Sequence, residues 1–408
     1  MNILLINHYA GSPQHGMEYR PFYLAREWVR AGHSVTIVAA SESHVRSRGP
    51  SIHGPVTEES IDGVRYVWLK TPPYQGNSAR RVFNMFAFTL GLFRHSRKIL
   101  RATRPDLVIA SSTYPFDIYP AARLARKHGA RLVFEVHDLW PLSPIELGGM
   151  SRHHPFIVLL QCAEDYAYRT ADKVVSLLPT AADYMKSRGM LPEKFIHIPN
   201  GVDLSEWDAA HDALPTEVAE VVRRERARGH FLLGYAGSHG VANALHTLIQ
   251  AAERLRDQPV SFLLVGQGPE KAALQHQVTE LGLDNVIFLP TLQKAVVPAF
   301  LREFDALYIG MRRQPLYRFG ISPNKLMDYM MSGKPVIQAI EAGNDPVTDA
   351  RCGVSAAPED PAALTDAIMK LMHTDRAERD AMGANGPRYV EQHHDYRVLA
   401  RQFLDAVG

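Results

Sequence analysis

The segment from Gly320 to Val336 combines residue types that suit the binding of a phosphorylated ligand. It reads as a loop, a short helix, a glycine turn and a buried strand. Pro323 fits the first helical turn, where its missing N–H costs nothing, and Ser322 fits the capping position before it. The N–H groups over 322–325 then point out of the helix start and form an anion site.

Lys325 and Asp328 extend this site. Lys325 adds a full positive charge beside Asn324, and Asp328 lies one turn further along, close to the same helical face. Cations and N–H groups suit a diphosphate, and a carboxylate accepts hydrogen bonds from ribose hydroxyls, so the segment favours a sugar nucleotide. The alternative from these residues alone is an ordinary capped helix that packs on a strand.

The length and charge of the chain limit its class. At 408 residues it exceeds what one hydrophobic core usually supports, so two domains are expected. A composition of 46% hydrophobic and 22% charged residues is typical of a soluble globular protein. The formal net charge of +2 does not indicate a nucleic-acid partner.

Cysteine usage and the N-terminus favour a cytoplasmic protein. Cys162 and Cys352 are far apart and lack ligand spacing, which argues against a disulfide framework and against a zinc site. The residues from Met1 to Asn7 lack a basic region and read as a buried strand rather than a signal peptide. No apolar run approaches the length of a membrane span.

Short β-branched runs alternate with helical patterns, which is typical of parallel sheets covered on both faces. The first series predicts strands at Ile3–Ile6, Val35–Ala39, Tyr66–Leu69, Leu107–Ala110, Leu132–Val136, Val174–Leu177 and Phe195–Ile198. The second series predicts strands at Phe231–Tyr235, Ser261–Val265, Val286–Phe288 and Ala306–Ile309. Predicted helices include Tyr19–Ala31, Tyr119–His128, Ala242–Asp257, Pro269–Leu281, Val296–Phe304 and Pro361–His373. Because a turn cluster over 199–203 ends the first series, we predict doubly wound domains over 1–203 and 204–389.

In such sheets ligands bind at the carboxyl ends of the strands, where this chain places polar loops. His137 and Asp138 end an otherwise apolar strand, although a strand-end histidine on its own is more often structural. The loop over 8–20 is rich in glycine and histidine, and its Gly16 could contact phosphate or sugar. Its spacing is not that of a dinucleotide fingerprint, and a surface turn is the alternative for this loop alone.

Two further glycine loops follow strands of the second series. Gly237 and Gly240 flank Ser238 and allow close backbone approach just before a helix start. Gly266 repeats this arrangement one strand later. Because such loops occur in both predicted domains, we expect a ligand in a cleft between them.

Arginine side chains precede the helix that carries Lys325. Arg318 could bind a diphosphate in a bidentate manner and neutralise it. For Arg312 and Arg313, a solvated basic loop is at least as good an interpretation.

Residues 80–98 combine aromatic and basic side chains. The aromatic residues are Phe83, Phe86, Phe88 and Phe93, and the basic residues are Arg80, Arg81, Arg94, Arg97 and Lys98. Large apolar side chains with basic flanks suit the headgroup region of an anionic bilayer, so we predict peripheral binding to a membrane. The alternative is a helix buried under the first sheet.

In order and spacing, these segments resemble the GT-B glycosyltransferases of family 4 over nearly the whole chain. The matching segments are the glycine loop over 8–20, Val136–Asp138, Pro199–Asp203, Val265–Pro269 and Ser322–Val336. Within that family, Asn7–Pro13, Gly16–Arg20 and Ser322–Lys325 resemble bacterial polysaccharide enzymes of the N-acetyl-fucosaminyltransferase type. The resemblance implies two Rossmann-like domains whose parallel sheets face an interdomain cleft. It also implies a C-terminal helix, at about 390–408, that crosses back to the first domain.

The resemblance implies an activity as well. Such enzymes transfer a sugar, here expected to be an N-acetylated hexosamine or its deoxy form, from a UDP-sugar to a lipid-linked saccharide with retention of configuration. The lipid is expected to be a polyprenyl diphosphate at the inner face of the membrane. No cofactor or metal is expected, because GT-B enzymes usually stabilise the leaving group with protein groups and the chain contains no Asp-x-Asp pair.

By position, the resemblance assigns Asp328 to the nucleotide ribose, His137 to the donor sugar and reaction centre, and Gly16 to the donor phosphates. The chain also departs from the family pattern, whose first motif glutamate would fall at Gly320. The family's cationic diphosphate clamp would fall near Ser238 and Asn243.

Lys325 and Arg318, with the N–H groups over 322–324, are the replacements that we expect for this clamp. Two other classes remain open. UDP-sugar 2-epimerases share the architecture but need acid and base groups that converge in the cleft, and no lipid acceptor. A non-catalytic sugar-nucleotide-binding subunit would explain the missing clamp residues. No motif encodes the donor sugar, the acceptor glycan, the linkage or the oligomeric state.

Overall fold

The computed structural model describes residues 1–76, 78–100, 104–208 and 213–408. These residues form two compact units. The first unit contains Met1–Asn200, Phe319–Ile321 and Tyr396–Gly408, and the second contains Gly201–Arg318 and Ser322–Asp395. Each unit is an α/β domain with its own sheet.

The sheet of the first unit has eight strands in the order β3-β4-β2-β1-β5-β6-β7-β8. The strands are β1 (Asn2–Ile6), β2 (Ser34–Ala40), β3 (Val56–Ile61), β4 (Val64–Leu69), β5 (Leu107–Ala110), β6 (Arg131–Val136), β7 (Lys173–Ser176) and β8 (Phe195–His197). β3 pairs antiparallel with β4, and the other neighbours pair in parallel. Asp62 and Gly63 both have positive φ and make the tight turn that joins β3 to β4.

The sheet of the second unit has six parallel strands in the order β11-β10-β9-β12-β13-β14. They are β9 (Phe231–Ala236), β10 (Val260–Val265), β11 (Val286–Leu289), β12 (Ala306–Gly310), β13 (Val336–Ala339) and β14 (Gly353–Ser355). The strand order reverses at β9 and β12, which is where a doubly wound sheet opens a crevice for ligands.

Helices cover these sheets and connect their strands. In chain order they are α1 (Arg20–Arg30), α2 (Ala79–Ile99), α3 (Ile118–His128), α4 (Leu142–Glu146), α5 (Pro155–Thr170), α6 (Ala182–Ser187), α7 (Ser205–Asp208), α8 (Thr216–Ala227), α9 (Leu245–Arg254), α10 (Lys271–Glu280), α11 (Val297–Leu301), α12 (Asn324–Met331), α13 (Pro346–Ala350), α14 (Pro361–His373), α15 (Arg376–Gly383), α16 (Asn385–His393) and α17 (Tyr396–Val407). Helices α1 to α6 and α17 belong to the first unit, and α7 to α16 belong to the second.

The C-terminal helix α17 packs in the core of the first unit. Its buried residues recur at helical spacing and form one apolar stripe, namely Tyr396, Leu399, Ala400, Phe403 and Val407. On α1, the indole of Trp28 donates to the carbonyl of Ala400 at 2.9 Å and packs edge-on against Phe403. The predicted return of the terminal helix to the first domain is confirmed, as is the class of two parallel-sheet α/β domains.

Several local predictions are wrong. Strands β3 and β14 were not predicted, because β3 lies on a sheet edge with four polar residues at its centre and β14 has only three residues. The helix predicted to start at Ala242 starts at Leu245, since Ala244 has a left-handed φ of 47° that interrupts it. The helix predicted over Val296–Phe304 ends at Leu301.

The aromatic side chains of α2 are not all available to a membrane. Phe88 is fully buried beneath the sheet, so its predicted place at a bilayer is wrong. Phe93 lies partly buried under the guanidinium of Arg123, which is 5.7 Å from the ring centre. Phe83 is 63% exposed and Phe86 is 40% exposed, so one face of α2 remains at the surface. Among the described residues, no helix combines the length and the apolar character needed to cross a bilayer.

Candidate active site

In the second unit, the start of α12 brings Lys325 against the loop that follows β9. The Lys325 ammonium contacts Asn243 Oδ1, lies 3.4 Å from the Tyr235 hydroxyl, and sits 5.1 Å from the centre of the Tyr235 ring. Asn243 Nδ2 and the Tyr235 hydroxyl both donate to the carbonyl of Ser238, at 2.9 and 2.7 Å. The structure therefore groups Lys325 and Ser238, two predicted site residues, with Tyr235 and Asn243.

The ammonium group of Lys325 is not paired with a carboxylate in the described structure. Within the described part of the chain, no carboxylate lies within ion-pair distance of its Nζ. Burial lowers the pKa of Lys325 to about 8, because a desolvated ammonium is costly when no opposite charge offsets it. An anionic ligand would supply that missing charge.

The cap of α12 differs from the prediction by one residue. Pro323 occupies the N-cap with extended backbone, and the helix begins at Asn324, so Pro323 is not in the first turn and Ser322 is not the cap. Proline has no side-chain acceptor, and the helix start therefore lacks a side-chain cap. The buried Oδ1 of Asn324 has no hydrogen-bond partner in the described structure, so a ligand hydroxyl or N–H could satisfy it.

Asp328 has a different set of neighbours from Lys325. Burial raises the pKa of Asp328 to about 6, whereas nearby Lys294 and a hydrogen bond from Trp207 favour its charged form. Lys294 in turn pairs with Glu206 at 2.7 Å. Asp328 thus contributes to holding α7, and its contact with a ribose stays a prediction.

The glycines after β9 and β10 are required by close packing of the two loops. A Cβ on Gly266 would lie 1.8 Å from the carbonyl oxygen of Gly237, and Gly266 has a φ of +149°. A Cβ on Gly237 would lie 3.5 Å from Cδ of Lys325. These two predicted site residues therefore border the Lys325 cluster, and a larger residue at Gly266 would displace the loops.

His239 is a residue of this site that sequence reasoning missed. It is fully buried between the two glycine loops, and neither ring nitrogen has a hydrogen-bond partner among the described residues. Burial and the nearby ammonium of Lys271 lower its pKa, which keeps the ring neutral. Its position within the Ser-His-Gly loop after a strand was the available signal.

Arg318 lies on a short 3₁₀ turn before α12. It is exposed, and its Nη1 donates to the carbonyl of Pro315 at 2.5 Å. With Arg313 and Glu341 it lines a cavity of about 520 Å³, in which Arg313 pairs with Glu341 at 3.4 Å. The contact of Arg318 with the diphosphate therefore stays a prediction.

In the first unit, His137 stands at the end of β6 in a buried polar network. Its Nε2 lies 3.0 Å from Ser111 Oγ and 3.4 Å from Glu135 Oε2. Ser111 Oγ donates to the same Glu135 oxygen at 2.6 Å. Asn7, at the end of β1, donates to the Ser111 carbonyl at 2.6 Å and to Ser111 Oγ at 3.2 Å.

Arg20 holds the other oxygen of Glu135. Its Nε and Nη2 lie 3.0 and 2.9 Å from Glu135 Oε1, and both side chains are 1% exposed. Arg20 also donates to the carbonyls of Ile198 and Pro199. Burial alone would raise the pKa of Glu135, but Arg20, His137 and Ser111 outweigh it and lower that pKa to about 2. Glu135 is therefore a carboxylate at physiological pH.

Two further carboxyl groups lie near His137. Burial raises the pKa of Asp138, a predicted site residue, to about 6, against the effects of His137 and a hydrogen bond from Ser143. Burial also raises the pKa of Asp117 to about 7, although the N–H of Ser112 donates to its Oδ2 at 3.0 Å. Asp117 was missed, because it lies in a 3₁₀ turn after β5 that carries no motif.

Gly16 lies in a loop whose backbone bonds are already satisfied internally. Its N–H donates to the carbonyl of Ser12 at 2.8 Å, and its own carbonyl accepts from Ser12 N at 3.0 Å. A Cβ at this position, where φ is +95°, would lie 2.6 Å from Ser47 Oγ. Packing against Ser47 is thus sufficient reason for a glycine, and contact with donor phosphates stays a prediction.

No group of three His, Cys, Asp or Glu side chains suited to hold a metal ion occurs in the described ranges. Metal independence and the ligand cleft between the domains both remain predictions.

Comparison with known proteins gives two family matches. The Glycosyl transferase 4-like domain matches residues 15–201, and the Glycosyl transferases group 1 domain matches residues 230–374. The putative colanic acid biosynthesis glycosyl transferase WcaI of Escherichia coli is 25% identical over 93% of each chain. O-antigen chain mannosyltransferase C of Escherichia coli is 24% identical over 79% of this chain and 82% of its own. The structure of Anabaena HepE in complex with UDP superposes with a TM-score of 0.68 at 16% identity over 99% of both chains.

Proposed function

Because this chain belongs to the family-4 glycosyltransferases of the GT-B fold, we propose that it transfers a sugar from a UDP-sugar to a lipid-linked saccharide. The observation that carries the proposal is Lys325, a buried ammonium at a helix start that lacks a carboxylate partner in the described structure. The relatives' roles in colanic acid and O-antigen synthesis support an acceptor in bacterial surface polysaccharide.

The leaving group determines what the second unit must do. Cleavage of the sugar–phosphate bond places negative charge on UDP and positive charge on the anomeric carbon. Lys325 and the uncapped N–H groups at the start of α12 are fixed in place beforehand, so they stabilise the departing diphosphate without reorganising. This cluster replaces the cationic clamp that is absent at Ser238 and Asn243, since Asn243 instead orients Lys325.

The first unit supplies the sugar end of the site in this proposal. His137 is the polar group at the end of β6 that contacts the donor sugar, and Asp138 follows it. We assign transfer with retention, and an N-acetylated hexosamine or its deoxy form as the donor sugar, on the resemblance of the Gly16–Arg20 and Ser322–Lys325 segments to enzymes of that type.

A lipid-linked acceptor requires the enzyme to approach a bilayer, and α2 offers a surface for this. Phe83 and Leu90 are 63% and 66% exposed and lie two helical turns apart on one face. The exposed cations Arg94, Arg97 and Lys98 follow at the end of the same helix. Exposed apolar side chains beside cations suit an anionic membrane surface rather than a neutral protein partner.

Sedimentation with anionic liposomes at low salt tests this surface. Each basic residue near an anionic surface contributes about 1 kcal/mol, so charge reversal of Arg94, Arg97 and Lys98 should lower partitioning by at least roughly two orders of magnitude. The matched control reverses three exposed arginines of the second unit, Arg254, Arg376 and Arg388, with the same change in net charge. Equal loss in both triple variants would contradict a role for α2.

The reaction itself is tested with a panel of UDP-sugars and polyprenyl-diphosphate-linked saccharides, followed by mass spectrometry of the lipid fraction. The proposal predicts an acceptor that gains one sugar residue with stoichiometric release of UDP. Conversion of the UDP-sugar without an acceptor would indicate the 2-epimerase alternative. UDP binding with no turnover across the panel would indicate a non-catalytic subunit.

A further inference from the structure

The hydrogen bonds around His137 determine which of its two ring nitrogens carries the proton. Glu135 is a carboxylate and can only accept hydrogen bonds. The distance of 2.6 Å from Ser111 Oγ to Glu135 Oε2 therefore requires the single hydroxyl proton of Ser111 to lie between these two oxygens. Ser111 Oγ has then no proton left to donate to His137.

The contact between Ser111 and His137 must consequently run in the other direction. His137 Nε2, at 3.0 Å from Ser111 Oγ, has to be the donor, and Ser111 Oγ the acceptor. The opposite tautomer would place the lone pair of Nε2 against Glu135 Oε2 at 3.4 Å, with no proton between them. Asn7 Nδ2 is a second donor to Ser111 Oγ, so Asn7 does not compete for the Ser111 hydroxyl proton.

We infer that Asn7, Ser111 and Glu135 are positioning residues that direct Nε2–H of His137 at Ser111 Oγ and so select the Nε2–H tautomer whenever the ring is neutral. Nδ1 is then a bare hydrogen-bond acceptor. Arg20 anchors the network, because it binds Oε1 of Glu135 and leaves Oε2 to accept the hydrogen bond from Ser111. The ring is therefore oriented before any ligand binds.

This tautomer defines what His137 can recognise. A bare Nδ1 accepts a hydrogen bond from a sugar hydroxyl, which has a proton to give, and it repels a carbonyl or phosphate oxygen. If the proposed function holds, Nδ1 of His137 is the group that accepts a hydrogen bond from one hydroxyl of the donor sugar, and this step of the inference rests on that function. A donor that lacks the hydroxyl leaves Nδ1 unpaired and should turn over more slowly.

The Glu135→Gln variant provides a sharp test, because it should invert the network. Arg20 needs an acceptor, so the new amide turns its oxygen to Arg20 and its NH₂ group to Ser111. Ser111 Oγ then accepts from the amide, and its own proton is donated to His137 Nε2. The neutral ring should change from the Nε2–H tautomer to the Nδ1–H tautomer.

The measurement is a long-range ¹H–¹⁵N correlation spectrum of the full chain labelled at histidine, at a pH where imidazoles are neutral, with His137→Ala to assign the signals. We expect Nε2–H in the wild type and Nδ1–H in Glu135→Gln. Glu164→Gln is the matched control, since Glu164 is equally buried but bonds to Tyr168 and Tyr184, and it should leave His137 unchanged.

An Nδ1–H tautomer in the wild type would overturn the inference, and this result needs no variant to fold. A folded Glu135→Gln protein that keeps the Nε2–H tautomer would overturn the role of the network. Neither outcome depends on sugar transfer, so a failure of the proposed function is seen separately, in the lipid product.

Discussion

Replacement of Lys325 with methionine should weaken UDP binding and at the same time stabilise the unliganded protein. Methionine keeps most of the side chain's apolar length, so the packing against Tyr235 is preserved while the charge is removed. A charge-assisted phosphate contact contributes about 1.5–3 kcal/mol, so the Kd for UDP should rise by roughly tenfold to a hundredfold.

The gain in stability follows from the desolvation of Lys325. Its pKa falls from 10.5 to about 8 on folding, which corresponds to about 3 kcal/mol against the charged form. This folded pKa is depressed, so the penalty is present in full below pH 8 and disappears as the pH rises to 10.5. Contacts with Asn243 and Tyr235 offset part of it, and we expect the variant to gain about 1–2 kcal/mol at neutral pH.

Isothermal titration with UDP and denaturant unfolding of the unliganded protein measure the two effects. Lys334→Met, in the turn after the same helix, is the matched control and should change neither quantity by a comparable amount. A Kd for UDP within twofold of the wild type, in a folded Lys325→Met protein, would refute the assignment of Lys325 to the phosphates.

The other predictions concern pH and individual residues. UDP affinity should fall above about pH 8 as Lys325 loses its proton, whereas Lys325→Arg should retain affinity to higher pH; titrations from neutral pH upward check both. Asp328→Ala should weaken binding of UDP more than binding of inorganic diphosphate in parallel titrations. Equal losses for the two ligands would show that Asp328 does not contact the ribose. His137→Ala should lower turnover with UDP affinity nearly intact; joint loss of both would reassign His137 to nucleotide binding or to structure.

The sequence predicted the sheets well because buried parallel strands are continuous apolar runs. β5 has the predicted bounds, β1 and β6 begin one residue earlier than predicted, and β2 extends one residue further at each end. β3 was missed because, on the edge of the sheet, its four central residues are all polar, so the sequence lacks an apolar run there. Phe88 was misjudged because a helix that is apolar on several sides does not reveal which side the core covers.

The network around His137 could not be assembled from the sequence. Asn7, Ser111 and Glu135 are far apart along the chain and meet because β1, β5 and β6 are adjacent in the sheet. Glu135 did carry a signal, since a charged residue inside a buried strand requires a partner. The partner, Arg20, is identified only by the fold.

The most direct test of the central claim is a crystal structure of the protein with bound UDP. The account predicts that a phosphate oxygen lies about 2.7–2.9 Å from Lys325 Nζ and receives hydrogen bonds from the N–H groups at the start of α12. A diphosphate bound in the cavity of Arg313 and Arg318, with Lys325 still bonded to Asn243, would contradict it.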